Sequence, residues 1–231
     1  MQNTITPIAS DTFIAMFTHD LKTPINSGIF ALEMLLKDTS HNLNDYQKEL
    51  LNDLLNSSKY MKRLTENALC KFKADSGNLI LNKEKCSIKK IVENCIEETK
   101  YILEEKKQNL YFTCDDNDLI TDVDIVELTR VVNNLISNAS KYSPQKTKIE
   151  IKLKKINNKI YFEIQDFGCG IEIQKLDKVF DKYVRLANNQ KSAGTGLGLY
   201  ITKLIIDAHN GKITIKSKPQ KGTKITFYIP A

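Results

Sequence analysis

The stretch that decides the fold is residues 124–142, which read DIVELTRVVNNLISNASKY. Its apolar side chains return every three or four positions, at Leu128, Val131, Leu135 and Ala139. That spacing places them on one face of an α-helix, since the helix completes a turn in about 3.6 residues. The stretch therefore predicts an amphipathic helix that needs a sheet or further helices to cover its apolar face.

The same helix carries polar side chains suited to a phosphate site. Asn134 and Asn138 are one helical turn apart, and Lys141 follows about one turn later. An amide oxygen is a hard ligand that Mg²⁺ accepts beside water and phosphate oxygens. We therefore expect this helix to border a site for Mg²⁺ and phosphate.

Two glycine clusters follow further along the chain. They are Asp166-Phe-Gly168-Cys-Gly170, after a predicted strand, and Gly194-Thr195-Gly196-Leu197-Gly198, before a predicted helix. A glycine turn that leads into a helix offers backbone N–H groups and a partial positive charge to an anion. The second cluster is neither a P-loop nor a dinucleotide motif, because the Lys-Ser/Thr ending and the βαβ context are missing. Combined with the two asparagines, the clusters indicate a nucleotide site.

The elements around this helix predict an α+β domain over residues 79–231. Its expected elements are helices at 87–107 and 197–209 and strands at 79–81, 110–113, 149–153, 160–165, 212–217 and 223–229. The pair around Asn157-Asn158 alternates as a hairpin does. Helices over one face of a largely antiparallel sheet make an α/β sandwich.

The first third of the chain predicts two long helices, at residues 8–37 and 44–72, joined by a polar turn at 38–42. Their apolar stripes need more cover than one hairpin supplies, so we expect a homodimer that closes a four-helix bundle. A hairpin that docks onto the rest of its own chain is the alternative. The predicted domains are residues 1–75 and 79–231.

The first helix contains Phe17-Thr-His19-Asp20-Leu-Lys-Thr23-Pro24. At about 100° per residue, His19 points roughly 140–200° away from the apolar residues of this segment, so it is expected to face solvent. Asp20 is placed to accept a hydrogen bond from the imidazole, fix its tautomer and offset a developing positive charge. Thr23 lies one turn below His19 on the same face, and Pro24 is expected to bend the helix.

These motifs resemble two known families. Residues 79–231 resemble the ATP-binding domain of the GHKL superfamily, which includes histidine kinases, gyrase-type topoisomerases and mismatch-repair ATPases. The segment around His19 resembles the phosphoacceptor box of dimeric histidine kinases, although Asp20 stands where most relatives carry Glu.

The resemblance implies roles for the site residues. Asn138 is the implied Mg²⁺ ligand, Asn134 supports metal and phosphates, Lys141 reaches a phosphate, and Tyr142 lies against the adenine. Asp166 would accept the adenine amino group, with Gly168 and Gly170 beside the base. Gly194, Thr195, Gly196, Leu197 and Gly198 would close over the phosphates. Thr23 would position the water that dephosphorylates a partner protein.

The implied function is an ATP-dependent protein-histidine kinase that phosphorylates His19 and passes the phosphoryl group to an aspartate of a response regulator. One alternative is a phosphatase or scaffold-type regulatory protein with little kinase activity. Another is a GHKL ATPase coupled to conformational work, which would need a transducer domain after the ATP site.

Composition and charge indicate in which compartment the protein acts and which partners it does not bind. Five cysteines without CxxC spacing argue against a disulfide framework or a zinc site and favour a reducing cytoplasm. The net charge of +6 is spread along the chain, so nucleic-acid binding is not expected. With no long apolar run, a membrane would be reached only through a missing sensor region or a partner protein. His209 is expected to end a helix where its partial positive charge is favourable.

Overall fold

The computed structural model describes residues 7–37, 43–75, 79–115, 119–184 and 196–231. Within these ranges, the side chains of residues 7–19, 71 and 73–75 are not described. The chain divides into two compact units, Met1–Leu79 and Ile80–Ala231.

The first unit contains two helices of 31 residues each, α1 (Pro7–Lys37) and α2 (Asp45–Asp75), which pack on each other. Both were predicted, while the expected turn at 38–42 lies outside the described residues. α2 begins with reciprocal capping: the Asn44 N–H donates to Gln47 Oε1 at 3.0 Å, and the Gln47 N–H donates to Asn44 Oδ1 at 2.8 Å. An ion pair of 2.8 Å between Lys59 and Glu33 links the two helices.

The hairpin leaves much apolar surface uncovered. Among its described side chains, the buried apolar residues are Leu55 and Cys70. Six larger apolar side chains expose between 48% and 66% of their surface: Phe30, Met34, Leu35, Leu50, Leu54 and Met61. Leu50, Leu54 and Met61 share one face of α2, since their spacing of four and seven residues returns to the same side of a helix.

The second unit is an α/β sandwich, as predicted. Its elements are β1 (Glu84–Ser87), α3 (Ile88–Glu105), β2 (Asn109–Cys114), β3 (Ile120–Val123), α4 (Ile125–Tyr142), β4 (Lys148–Ile156), β5 (Lys159–Asp166), α5 (Ile173–Leu176), α6 (Gly198–Ala208), β6 (Lys212–Lys218) and β7 (Gly222–Pro230). Five strands form one sheet in the order β2-β4-β5-β7-β6. α4 packs on β5 and contacts both α3 and α6, so it lies at the centre of the helical layer.

Alternation along the strands builds the core. Ile149, Ile151 and Leu153 on β4 are fully buried, whereas Lys148 and Lys152, on the opposite face of the strand, are exposed. The β4–β5 hairpin turns at Asn157-Asn158, where both residues have positive φ of 47° and 57°. Two successive positive φ values define the two-residue turn that suits the twist of a hairpin.

One predicted strand of the second unit differs from the structure. The strand predicted at Leu79–Leu81 is wrong, because Ile80 is 81% exposed and the segment pairs with nothing in the described chain. The strand lies instead at Glu84–Ser87, which pairs antiparallel with Ile120–Val123 as a separate two-stranded sheet. In the main sheet, β2 and β4 are parallel, and the other three pairs are antiparallel.

Candidate functional site

α4 is fixed at its first residue by a side-chain cap. Asp124 Oδ1 accepts a hydrogen bond of 3.0 Å from the Glu127 N–H, and its Oδ2 accepts one of 2.9 Å from the Asn82 N–H. The cap satisfies an N–H group that has no partner inside the helix.

The last turn of α4 is held by a buried glutamine that the sequence did not single out. The Gln108 side-chain amide donates to the backbone oxygens of Ser140, Ser143 and Pro144 at 2.9–3.2 Å. In return, the Ser140 hydroxyl donates to Gln108 Oε1 at 2.7 Å. The carbonyl oxygens at the end of a helix lack intrahelical donors, so Gln108 supplies them and fixes the turn that carries Lys141 and Tyr142.

A cleft of about 570 Å³, including its open mouth, lies between α4 and the sheet. Its walls are mostly apolar and are formed by Leu135, Asn138, Ala139, Tyr142, Ile164, Asp166, Cys169, Gly170, Ile171, Leu199, Ile215, Thr223 and Ile225. The structure thereby brings together four residues that the sequence placed in one site, namely Asn138, Tyr142, Asp166 and Gly170. An apolar cleft with a few polar groups on its walls is typical of a small-molecule site.

Asp166 is the buried carboxylate of this cleft, with only 7% of its surface exposed. Its Oδ1 accepts hydrogen bonds from the Gly168 N–H at 2.9 Å and the Thr223 N–H at 3.1 Å. Burial raises the pKa of this carboxyl above the usual aspartate value, although the two N–H donors act in the opposite direction. Since both donors bind Oδ1, Oδ2 is the oxygen that a ligand in the cleft would meet.

Tyr142 is the last residue of α4 and lines the same cleft. Burial raises the pKa of its hydroxyl, with a smaller contribution from the nearby Cys169. The Lys141 ammonium group lies 5.3 Å from the centre of the Tyr142 ring, within the range of a cation–π contact. The two residues therefore present a cation and an aromatic ring side by side.

Asn134 does not line the cleft but joins α4 to α6. Its Nδ2 donates to the Thr202 hydroxyl at 2.9 Å. A Cβ on Gly198, the first residue of α6, would lie 2.6 Å from Asn134 Oδ1. A side chain at position 198 would thus displace this asparagine. Gly196 and Leu197 precede α6 in the described chain, whereas the predicted site residues Gly194 and Thr195 lie outside it.

The glycines of the first cluster are needed for close backbone packing. A Cβ on Gly168 would collide with the Tyr142 carbonyl, and one on Gly170 would collide with the Lys218 carbonyl. Gly170 also has a φ of +65°, which L side chains rarely adopt. Sequence reasoning assigned both glycines to the approach of a base, and the structure adds a requirement that holds without any ligand.

The residues expected to act in phosphoryl transfer lie on α1. Asp20 and Thr23 are exposed. The backbone of His19 belongs to α1. Its side chain is not among those that the structure describes, so the exposure of its imidazole stays a prediction. Pro24 lies inside the helix, one turn beyond His19.

The expectation for His209 is wrong in part. The residue does end α6, but it is only 2% exposed, and burial lowers its pKa. Its Nε2 accepts a hydrogen bond of 3.1 Å from the Asp124 N–H. The proton must then be on Nδ1, which donates to the Ile205 carbonyl at 2.8 Å. His209 is therefore a neutral link between α6 and the start of α4, not a favourable positive charge.

The side chains that line the cleft could bind a metal ion only if a bound ligand supplied further oxygens. In the part of the chain that the structure describes, no group of three or more His, Cys, Asp or Glu side chains could hold a metal ion. The Asn138 amide on the cleft wall could supply one oxygen, so phosphate oxygens and water would have to complete the shell of a Mg²⁺ ion.

Two family models match the chain. Residues 123–231 match the "Histidine kinase-, DNA gyrase B-, and HSP90-like ATPase" family, and residues 9–77 match the "His Kinase A (phospho-acceptor) domain". The chain therefore combines the phosphoacceptor and ATPase domains of a histidine kinase core.

The chain is homologous to the sensor histidine kinases. It is 34% identical to the sensor histidine kinase WalK of Bacillus subtilis (strain 168) over 224 residues, which cover 94% of this chain and 36% of WalK. It thus spans about a third of the length of that relative.

Solved structures share the fold. Full-length ShkA in complex with AMPPNP matches 95% of this chain and 45% of its own, with a TM-score of 0.73 and 20% identity. The histidine kinase ThkA in complex with the response regulator TrrA matches 95% of this chain and 61% of its own, with a TM-score of 0.64 and 21% identity. Within the described ranges, no helix has the length and hydrophobicity of a membrane span.

Proposed function

We propose that this chain is an ATP-dependent protein-histidine kinase that phosphorylates its own His19 and passes the phosphoryl group to an aspartate of a response regulator. One observation supports this above all: the chain carries both the phosphoacceptor box on α1 and an apolar cleft with a buried carboxylate under α4. The first offers an acceptor and the second a site for the donor.

The cleft suits adenine in shape and polarity. The Asp166 carboxylate would accept a hydrogen bond from the adenine amino group through Oδ2, while Tyr142 and the aliphatic wall contact the base. A guanine has a carbonyl at that position and would leave two acceptors facing each other. The preference for ATP over GTP therefore follows from a single buried carboxylate.

The phosphates would extend toward the start of α6. There the Asn138 amide would bind Mg²⁺, Asn134 would hold the Gly196–Gly198 turn in place through its contact with Gly198, and Lys141 would neutralise phosphate charge. Gly194 and Thr195, which lie outside the described residues, would close over the phosphates as the sequence predicts. Phosphoryl transfer depends mainly on such positioning and charge neutralisation.

On α1, Asp20 would accept the N–H of the His19 imidazole, which leaves the other nitrogen as the nucleophile. Thr23, exposed one turn later, is placed to orient a water molecule toward a phosphorylated partner. This geometry supports a second activity, dephosphorylation of the regulator. The five cysteines, all free, and the use of ATP agree with action in the cytoplasm.

We further propose that two chains form a homodimer through their hairpins. The apolar side chains of α1 and α2 that stay half exposed in one chain, such as Phe30, Leu50 and Leu54, would be covered in a four-helix bundle.

The decisive experiment is incubation with labelled ATP and Mg²⁺. The wild-type chain should gain acid-labile, alkali-stable phosphate, and His19→Gln should gain none. Asn138→Ala should also remain unlabelled, whereas Asn133→Ala, one residue outside the set on the same helix, should still be labelled. Label that persists on His19→Gln would overturn the acceptor assignment. ATP hydrolysis without any phosphoprotein would instead favour a GHKL ATPase.

A second measurement separates kinase from phosphatase. A phosphorylated receiver domain should lose its label faster with the wild-type chain than with Thr23→Ala, while autophosphorylation of Thr23→Ala should be unchanged. A chain that dephosphorylates the regulator but never labels itself would be a phosphatase-type regulator.

A further inference from the structure

The main sheet has one face that no other element covers in the described chain. The opposite face, with side chains such as Ile151 and Phe227, is buried under the helices. Side chains alternate along a strand, and cross-strand partners such as Tyr161 and Tyr228 share a face. We call the uncovered surface the outer face; it consists of every second residue of 109–113, 148–156, 159–165, 212–218 and 224–230. None of its side chains is buried.

The outer face is strongly basic. On β4 and β5 its lysines are Lys148, Lys152, Lys154 and Lys159. On β6 and β7 they are Lys212, Lys216, Lys218 and Lys224. Its acidic residues are Glu150 and Glu163, so eight lysines and two glutamates give it a net charge of +6. The whole chain has the same net charge of +6. The excess positive charge that the sequence scatters along the chain is therefore gathered on one face of the sheet.

Both glutamates of the outer face already pair with a lysine. Glu150 pairs with Lys148 at 2.7 Å, and Glu163 pairs with Lys224 at 2.6 Å. The other six lysines carry charge that no acidic side chain of this face offsets. Lys216 even lies directly opposite Lys224 on the neighbouring strand, and like charges in such positions repel each other. An external polyanion would relieve this repulsion.

Three tyrosines lie among these lysines, namely Tyr111, Tyr161 and Tyr228. The rings of Tyr161 and Tyr228 are 5.4 Å apart, and the Lys159 ammonium group lies 4.2 Å from the centre of the Tyr228 ring. These rings are thus in contact with neighbours, whereas a single-stranded nucleic acid needs open ring faces on which its bases stack. An aromatic ring with a hydroxyl at its tip suits the boundary between lipid and water.

The outer face is broad and contains no arginine. Five strands of six to nine residues cover roughly 20 Å by 25 Å at the usual strand spacing and rise. Lysine is a compact point charge on a flexible stem, whereas arginine is favoured where a protein grips single phosphates in a fixed geometry. A broad surface of lysines and tyrosines therefore fits a plane of anionic headgroups better than one phosphate group.

We propose that the outer face binds the surface of a membrane that contains anionic lipids. The lysines supply the attraction, and the tyrosine rings lie at the level of the headgroups. The cleft under α4 lies on the other side of the sheet, since Ile164 and Ile225, which line it, point away from the outer face. Membrane and nucleotide therefore bind independently, and the inference does not depend on the proposed function.

The test is sedimentation of the full chain with sucrose-loaded vesicles. Vesicles of phosphatidylcholine with about 30% phosphatidylserine should bind the chain at about 0.1 M salt, and vesicles of phosphatidylcholine alone should bind it at least about tenfold more weakly. Raising the salt to about 0.5 M should weaken binding to the anionic vesicles by at least about tenfold, because the charges are then screened. A saturating ATP analogue with Mg²⁺ should leave the vesicle affinity unchanged within about twofold.

Two triple variants with the same loss of charge locate the binding surface. One combines three exposed lysines of the outer face, Lys152→Gln, Lys212→Gln and Lys216→Gln. The control combines exposed lysines of β1, α3 and α6, Lys85→Gln, Lys90→Gln and Lys203→Gln. Each lysine near an anionic surface contributes roughly a fivefold factor in affinity. The first variant should therefore bind the vesicles at least about tenfold more weakly, and the control should stay within about threefold of the wild type.

Protection of the wild-type chain tests the same surface without any variant. Bound vesicles should slow the acetylation of Lys152, Lys212 and Lys216 by N-hydroxysuccinimidyl acetate at least about threefold, measured by peptide mass spectrometry. Acetylation of Lys85 and Lys203 should not respond to the vesicles.

Three results would overturn the proposal. The first is no sedimentation with anionic vesicles at low salt, and the second is an equal effect on the two sets of lysines in either experiment. The third is an oligouridine of about 20 nucleotides that binds through the outer-face lysines with a Kd below about 1 μM, which is tighter than non-specific electrostatic binding and would assign this face to single-stranded nucleic acid. A vesicle affinity that changes with the ATP analogue would contradict independent binding, whereas a chain that binds vesicles but no analogue would refute the proposed function alone.

Discussion

At the scale of single residues, Asp166 has a cost in stability and a proposed role in recognition of adenine. Its carboxylate is buried among apolar walls, and burial raises its pKa. The folded protein thus holds this proton more tightly than the unfolded chain does. Stability contributed by the protonated form is full below the unfolded pKa and is lost as the pH rises through the raised folded pKa. Ionisation of Asp166 therefore destabilises the fold.

The variant Asp166→Asn tests both the cost in stability and the proposed role in ATP binding. It should bind ATP roughly 10- to 100-fold more weakly, because the amide group can turn an N–H toward the adenine amino group and a charge-assisted hydrogen bond is lost. At neutral pH it should unfold at the same or a higher urea concentration than the wild type, and this difference should shrink on acidification. Asp122→Asn, an exposed change on β3, is the control for loss of one charge. An unfolded Asp166→Asn variant would contradict the argument.

His209 predicts the opposite dependence on pH. Burial, the largest effect, and the nearby Lys83 lower its pKa, while the hydrogen bond to Ile205 and the charges of Asp124 and Glu127 oppose this. For a lowered histidine pKa, the stability is present above the unfolded value of about 6.5 and is lost as the pH falls toward the folded one.

The measurement is the urea unfolding free energy from about pH 8 to about pH 5. The wild type should lose up to about 1.4 kcal/mol per pH unit below about pH 6.5 that His209→Gln, which cannot titrate, does not lose. Parallel curves for the two proteins would refute the assignment of a neutral, buried imidazole.

At the scale of elements, α4 shows what sequence could and could not predict. Its periodicity gave the helix and its buried face, because apolar spacing depends only on local order. Its anchor, Gln108, lies 32 residues before Ser140, and a single glutamine in a sequence carries no sign of such a partner. Asn138 and Tyr142, which the sequence placed in one site, both line the cleft, whereas what holds them in place required the tertiary structure.

The strands show the same limit. β4 and β5 alternate clearly and were predicted, but Glu84–Ser87 has only four residues and no buried alternation, with the burial pattern exposed, exposed, half-buried, half-buried. Its existence depends on pairing with Ile120–Val123, about 35 residues away. The apolar run Leu79–Leu81 was predicted as a strand because strand propensity depends on the residue types alone. It carries no information on whether a partner strand is present.

The anchor of α4 can be removed directly. Gln108→Ala leaves several buried carbonyl oxygens and the Ser140 hydroxyl without their partner, so we expect a loss of roughly 1–3 kcal/mol in unfolding free energy. ATP affinity should fall as well, because the last turn carries Lys141 and Tyr142. Asn109→Ala, an exposed amide one residue later, should change stability by less than about 0.5 kcal/mol. Denaturant titration and calorimetry of both variants give the answer.

The hairpin predicts association through the exposed face of α2. Leu54→Glu places a charge among Leu50, Leu54 and Met61, so it should shift the proposed dimer to monomer in sedimentation at micromolar concentration. Asn56→Glu adds the same charge on another side of the helix and should leave the dimer intact. A wild-type chain that sediments as a monomer would rule out this face as a dimer interface.

At the scale of the whole molecule, the cleft proposed to bind ATP belongs to the second unit. Every residue that lines the cleft falls between Leu135 and Ile225, and the supports of α4, Gln108 and Asp124, lie in the same unit. Removal of Met1–Leu79 takes away no wall of the cleft and no cap of α4. The proposed acceptor, His19, by contrast lies in the first unit.

Separate expression of residues 80–231 therefore gives the last prediction. This fragment should fold, bind the ATP analogue with Mg²⁺ within about threefold of the affinity of the whole chain, and carry no label after incubation with ATP, because it lacks His19. Addition of the unlabelled Asn138→Ala full chain, which cannot use its own cleft, should let the fragment label His19 in trans at a rate that rises with fragment concentration. A fragment that folds but binds the analogue far more weakly would mean that the first unit completes the nucleotide site. Label on the fragment itself would move the acceptor out of α1 and contradict the division of donor and acceptor between the two units.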